Sequence, residues 1–262
     1  MAPAISGTEA VDAAGAGPVQ VHLVAAGKYH DIDFARLELL KLFAEEPRIR
    51  ASVAMDYGDL DRLAECRLLV TYTCDLMPTP SETEAIRSWL LAGGRWLALH
   101  GTNSILRFLA DGRVDSPPER EDVMALLGSQ FVAHPPIGPF SVRVRRPDHP
   151  LLRGERDFEV VDELYLSRRT AEMEVLLEAA FTGEAPGFVV SHWEDAEVPI
   201  LYLCRHGAGA VLYFTLGHCR GHYDVAVFTP FWPHPERCAW TYPVYTRILR
   251  RCIRWGIGEL EA

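Results

Sequence analysis

An α/β fold built on a mostly parallel sheet is predicted by three features of the sequence. Short β-branched or apolar runs alternate with segments of helical spacing through residues 19–99, the pattern of right-handed βαβ crossovers. Residues 139–205 change to a succession of strand-like runs, which reads as a strand-rich, antiparallel extension packed on the same domain. A last apolar run at Val211 to Thr215 and a helical stretch from Tyr242 to Trp255 close the chain.

Taken in order, Val19 to Ala25 is a buried first strand that ends at Ala26-Gly27 and opens into the loop Lys28-Tyr29-His30-Asp31. Asp33 is placed to cap a helix whose inner face carries Leu37, Leu40 and Phe43. Ile49 to Met55 and Leu68 to Thr73 are the second and third strands. Ser81 and Glu84 have capping-box spacing, and Ile86, Trp89 and Leu90 give the next helix an apolar stripe. Gly93-Gly94 stops that helix, and the strand Arg95 to Leu99 runs directly into His100-Gly101. A helix and then a strand follow between Glu119 and Ala133. Strands of the extension are expected at Phe140 to Val144, Phe158 to Val161, Val175 to Ala180, Gly187 to Ser191 and Ile200 to Leu203. Residues 1–18 are small and acidic and read as a disordered tail, leaving 19–260 as a single domain.

Composition bounds the function. A chain of 262 residues, 48% hydrophobic and 24% charged, has ample material for one large core. Its formal net charge of -10 lacks the basic field that phosphate backbones require, so no nucleic-acid partner is expected. Arg143, Arg145 and Arg146 read as a solvated strand face. No run reaches the roughly 20 apolar residues of a membrane span, and the start has no basic leader. A cytoplasmic location is therefore expected. The six cysteines show no C-x-x-C spacing, so reduced thiols are the expectation.

In a parallel sheet, ligands bind beyond the carboxyl ends of the strands. His30 follows the first strand, Cys74-Asp75 the third, His100 the fourth, and His218 the late one. If those strands are parallel, all of these positions emerge on one edge. Clustered imidazoles can bind a divalent cation or move protons near neutral pH. Asp31, Asp162 and Glu163 are candidates to add oxygen ligands or a general base. Of the other histidines, His22 reads as packed, His206 and His234 as solvated and His149 as a turn residue; His134, before Pro135-Pro136, is intermediate. His218 and His222 are four apart, but Gly221 between them argues against a helical metal pair.

Five strings occur in order: Gly27-Lys28-Tyr29-His30-Asp31, Leu99-His100-Gly101, Asp148-His149-Pro150, Asp162-Glu163-Leu164-Tyr165, and the run from Gly207 to Gly217-His218. Together they resemble the trehalose-utilisation (ThuA-like) family over residues 19–258. The departures are Lys28-Tyr29, where small or Phe residues are usual, and Cys219 after the late histidine. The resemblance implies a flavodoxin-like three-layer sandwich similar to class I glutamine amidotransferases. The strand-end elbow here carries His100 instead of cysteine, which removes glutamine hydrolysis through a cysteinyl intermediate at that position. Cys74 and Cys219 lack the elbow setting.

The resemblance further implies carbohydrate metabolism, with a small-molecule carbohydrate as partner. The main expectation is a metal-assisted enzyme, a sugar isomerase, lyase or hydrolase, acting on disaccharides or keto-sugar derivatives. His30, His100 and His218 are the expected ligands of a zinc-like divalent ion. His100, His218, Asp31 and Glu163 are the catalytic candidates, and Tyr29, Asp162, Tyr165 and Trp232 the substrate-binding ones. Trp232 belongs to an aromatic stretch, Phe228 to Trp240, read first as a packed loop and second as a sugar-stacking wall. No nucleotide cofactor is expected, and a homo-oligomer is left open. The alternative is a non-catalytic sugar-binding or regulatory module on the same scaffold.

Overall fold

Parallel pairing sets the frame. In the computed structural model, which describes residues 17–221 and 234–261, β1 (Val19–Gly27) lies between β2 (Ile49–Ala54) and β3 (Leu68–Cys74), and β4 (Arg95–Leu99) follows β3. All of these pairs are parallel, as is the pair of β4 with the late strand β13 (Gly209–Phe214). The order β2-β1-β3-β4-β13 is the doubly wound, flavodoxin-like one, with its switch in strand order at β1/β3. Beyond β13 the same sheet continues antiparallel through β12 (His192–His206), β11 (Glu174–Glu184), β8 (Gly138–Val144) and β9 (Phe158–Asp162). The strand-rich extension is thus the second half of one nine-stranded sheet.

Side chains alternate across β4 and divide the core into two layers. Trp96 and Ala98 pack with Ile86 and Leu90 of α2 (Pro80–Leu91) and with Val123 and Leu127 of α3 (Glu121–Leu127). Leu97 and Leu99 face the other way, onto Leu39 and Phe43 of α1 (Ile32–Ala44) and Ile248 and Leu249 of α4 (Pro243–Gly256). Period-2 alternation of large apolar residues is what a sheet covered on both faces requires. Two short pairs flank the site: β5 (Arg107–Phe108) with β6 (Val114–Asp115), and β7 (Ser129–Ala133) with β10 (Leu166–Arg169). Among the described residues, no helix is long and apolar enough to cross a membrane.

Five sequence expectations are corrected. The N-cap of α1 is Asp31, whose carboxylate accepts from the Phe34 amide, while Asp33 sits in the first turn against Arg36. Helix α1 buries Ala35, Leu39, Leu42 and Phe43, leaving Leu37 53% exposed; apolar residues lie on two faces, and the sheet selects one. The capping box of α2 is Thr79 with Glu82, because Pro80 is preset for the first helical position. No strand forms over Gly187 to Ser191, where Pro186 lacks an amide proton and Gly187 adopts φ +90; only Phe188 bridges, to Val114. His206 is not merely solvated, since its Nε2 donates to the Leu126 carbonyl near the end of α3 (2.8 Å). All of the expected tail except residues 17 and 18 lies outside the described residues.

The cap assignment is directly testable. Thr79→Ala should cost about 1 kcal/mol, read from urea unfolding, and Ser81→Ala less than half of that. The reverse ranking would restore the cap to Ser81.

Candidate functional site

Three strand ends deliver three histidines to one edge of the sheet. His30 follows β1 through Tyr29, which adopts φ +66. His100 follows β4 at φ +42 and starts a single 3-10 turn, His100–Asn103. That strained conformation is rare for a residue with a Cβ. It is held by the Tyr213 hydroxyl, which donates to the His100 carbonyl (2.6 Å) and accepts from the Asn103 amide (2.9 Å). Gly101 sits so close to β3 that a Cβ would meet the Thr73 carbonyl oxygen at 2.6 Å, so the elbow needs glycine there. His218 follows β13 through Thr215, Leu216 and Gly217.

The fourth side chain, Glu163, comes from the antiparallel half, one residue past β9. Its neighbour Asp162 ties the two halves together. One Asp162 oxygen accepts from the amides of His218 (3.1 Å) and Glu163 (2.7 Å), the other from Gly217 (2.9 Å) and Ala239 (3.2 Å). Burial, partly countered by His218 and these amides, raises its pKa to about 6. Asp162 is therefore a positioning residue, engaged with backbone on both oxygens.

Ligand-capable atoms of His30, His100, His218 and Glu163 lie within 4.8 Å of one another, all buried. His100 Nδ1 faces the Thr215 carbonyl at 2.8 Å, and His30 Nδ1 faces the Lys28 carbonyl at 3.1 Å. A carbonyl only accepts, so each Nδ1 carries the proton, and in the neutral rings both Nε2 atoms are bare lone pairs. These two Nε2 atoms nevertheless stand 2.9 Å apart. His218 is turned the other way: its Nε2 donates to Glu236 Oε2 at 3.1 Å, which points Nδ1 inward. That Nδ1 lies 3.2 Å from Glu163 Oε2 but has no aligned hydrogen-bond partner. Glu163 Oε2 is also 3.5 Å from His100 Nε2 and 3.8 Å from His30 Nε2. Four acceptors thus converge where no donor belongs to the neutral set.

The charges follow from this arrangement. Burial holds His30 below the usual imidazole value and carries His100 down to about 3, against the pull of Glu163. Burial works on His218 in the same sense, but the Glu163 charge and contact, with the Glu236 hydrogen bond, push it up to about 9. Burial would raise Glu163, yet His134, His218 and His100 hold its carboxyl well below the usual range. A proton on His218 would answer Glu163, while the His30–His100 contact would keep two facing lone pairs.

A cavity of about 790 Å3 opens over the cluster, lined among others by Tyr29, Phe131, His134, Tyr165, Phe188 and Arg220. The Tyr165 ring lies 4.4 Å from His100 between centroids. His134 was not among the expected site residues, yet its Nε2 lies 3.2 Å from Glu163 Oε1, its Nδ1 faces the Pro135 carbonyl at 2.8 Å, and its side chain is 26% exposed. Arg220 pairs with Glu236 (3.1 Å) and stands 3.8 Å from Glu163 Oε1. Neither Arg220 nor Glu236 carried any spacing signal.

Asp31 is not brought to the cluster: it caps α1 and pairs with Arg237 at 2.9 Å. Trp232 and His222 lie outside the described residues. Trp240, in the 3-10 turn Cys238–Thr241, packs on Phe34 and Tyr245 and donates to the Gly217 carbonyl. His22 is packed against Ser52, and His149 caps the 3-10 turn Pro150–Leu152. Cys74 lines the cavity, but burial raises its thiol far above the ordinary range, and burial pushes Cys219 up to about 12. Neither supplies a thiolate near neutral pH.

The sequence profile of the ThuA family, described as trehalose utilisation, matches residues 20–232. A ThuA-like protein from Bacteroides uniformis ATCC 8492 is similar in structure, with a TM-score of 0.65 and 17% identity over 97% of each chain. A second, from Parabacteroides merdae ATCC 43184, has a TM-score of 0.63 and 14% identity over 94% of this chain and 92% of that one. The β-galactosidase from Rahnella sp. R3 matches at a TM-score of 0.54 and 14% identity, over 77% of this chain and 29% of the galactosidase. No curated protein sequence matches significantly.

Removing the Asp162 carboxylate orphans buried amides of both halves, each worth about 1–3 kcal/mol. Asp162→Ala should therefore lose at least about 3 kcal/mol in urea unfolding. A loss below about 1 kcal/mol would mean that the Gly217 and His218 amides have other acceptors.

Proposed function

The chain belongs to the trehalose-utilisation (ThuA) family, and from that premise we propose that it is a carbohydrate-processing enzyme assisted by a bound divalent cation. Its substrate is a disaccharide or keto-sugar derivative, and its chemistry is proton transfer beside a carbonyl, as in isomerisation. The observation that carries this reading is the convergence of three imidazole nitrogens and one carboxylate oxygen under the cavity.

The donor set fits such an ion. Three nitrogens and one oxygen suit zinc and its neighbours among the divalent metals. The remaining ring nitrogens are held by the Lys28 and Thr215 carbonyls and by Glu236, the outer partners that orient metal-binding histidines. A divalent ion bound there would polarise a sugar oxygen.

The rest of the chemistry belongs to side chains. Glu163 Oε1 faces away from the cluster to His134, which reaches the cavity and is placed to hold or pass a proton at Nε2. Tyr165 covers His100 and keeps water off the buried rings. Arg220, fixed by Glu236, lines the same side of the cavity and brings a positive charge to it.

Purified protein should carry about one zinc-class ion per chain by elemental analysis, and should convert a 3-keto sugar. Chelation should abolish turnover and the metal restore it; His100→Ala and His218→Ala should lose both metal and turnover. Metal-free protein with unchanged activity in both variants would contradict the reading. Saturable sugar binding without turnover of any tested sugar would replace the enzyme by a binding module.

A further inference from the structure

The cavity is two-sided. Its charged and imidazole groups, Glu163, His134, Arg220, Glu236 and His30, contact one another on one side. Apolar side chains form a second surface, which meets the first where Phe188 packs on His134 (ring centroids 4.8 Å). Phe188 stands 5.8 Å from Phe131 between ring centroids and is bridged to Val114, with Ile137 and Pro136 completing this wall. Phe108, 57% exposed, extends it towards the mouth and lies 5.6 Å from Tyr29.

Four amides of the loops that build this surface donate to carbonyls of the same loops. The Val114 amide donates to the Gly187 carbonyl (2.7 Å), and the Val189 amide donates to the Val114 carbonyl (2.9 Å). The Phe188 amide donates to the Ala185 carbonyl and the Gly112 amide to that of Leu109. Pro136 and Pro186 have no amide proton. Among the described lining residues, the Tyr29, Ser104 and Tyr165 hydroxyls and the Cys74 thiol are the polar side-chain groups outside the charged side, and none belongs to Phe108, Val114, Phe131 or Phe188.

A second sugar ring laid on this wall would bury hydroxyls without partners, which costs more than its ring faces return. An aromatic or aliphatic group meets no such penalty and gains ring-edge contacts with Phe131 and Phe188. The volume, about 790 Å3, leaves ample room beside one hexose, within the roughly 300–1,000 Å3 typical of sites for drug-sized ligands.

We propose that the wall formed by Phe108, Val114, Phe131 and Phe188 is an aglycone subsite, and that the preferred ligand is a glycoside of one sugar unit bearing an aryl or other apolar aglycone. This rests on the carbohydrate reading above and narrows it, setting the disaccharide aside for a glycoside of one sugar: the sugar meets the charged side, and the aglycone meets the wall. Discrimination against a hydroxylated second unit is then a property of the wall, independent of the metal.

Calorimetry on the full chain, with bound metal quantified in the same sample, tests this with phenyl glucoside, methyl glucoside, trehalose and phenol. Phenyl glucoside should bind at least about tenfold more tightly than methyl glucoside or trehalose. Phe188→Ala should bring phenyl and methyl glucosides to within about threefold while leaving methyl glucoside and metal content unchanged. Phe108→Ala, at an exposed position that the fold does not need, should narrow the same gap in part. Equal binding of phenyl and methyl glucosides, tighter binding of trehalose, no binding of either glucoside, or a phenyl preference surviving both substitutions would overturn the subsite. Phenol binding as tightly as phenyl glucoside would overturn the glycoside assignment and the carbohydrate reading while leaving an aryl site. Loss of metal with the phenyl preference intact would fail the metal reading and support the subsite.

Discussion

Two imidazole nitrogens stand 2.9 Å apart with their protons committed elsewhere, and a third nitrogen and a carboxylate oxygen close the same space. Lone pairs so close in a buried site repel unless something positive lies between them. The protein has set the problem deliberately far from water. Each outward nitrogen is locked by a carbonyl or carboxylate, so ring rotation that would relieve the contact also breaks a hydrogen bond. A divalent cation would remove the repulsion and use all of the converging atoms, whereas one proton on His218 would answer only Glu163.

Much of the fold serves this convergence. Parallel strands β1, β4 and β13 present His30, His100 and His218 on one edge, near the β1/β3 switch in strand order. Glu163 has to arrive from the antiparallel half, and Asp162 fixes its arrival by gathering amides from both sides. The Gly101 approach to β3 and the Tyr213 hydroxyl hold the His100 elbow in its left-handed conformation. The resulting cavity brings Glu163, His134 and Arg220 together with the apolar side chains of Val114, Phe131 and Phe188.

The strands and the three histidines were legible because their signals are local. Period-2 runs mark buried strands, and parallel strands force their ends to one edge, so order along the chain becomes proximity in space. Asp162 and Glu163 were both visible as acids, but their division of labour was not: adjacent residues at a strand end point opposite ways, and only the fold decides which meets the metal-like cluster. Asp31 failed to join because the helix start claimed it as a cap. The cap errors at Asp33 and Ser81 share one cause, since Ser, Thr and Asp cap equally well on sequence and packing fixes the first turn. His134, Arg220 and Glu236 come from irregular segments, where spacing carries no periodic information. Trp232 lies outside the described residues.

The central claim is that this cluster is a cation site with a specific set of atoms, His30 Nε2, His100 Nε2, His218 Nδ1 and Glu163 Oε2. Anomalous diffraction across the zinc edge, on crystals of zinc-loaded protein, tests it most directly. One peak about 2.0–2.2 Å from those three nitrogens and from the Glu163 carboxylate is the predicted result. A peak bound through His218 Nε2, a peak elsewhere in the molecule, or no peak at this cluster would contradict the account.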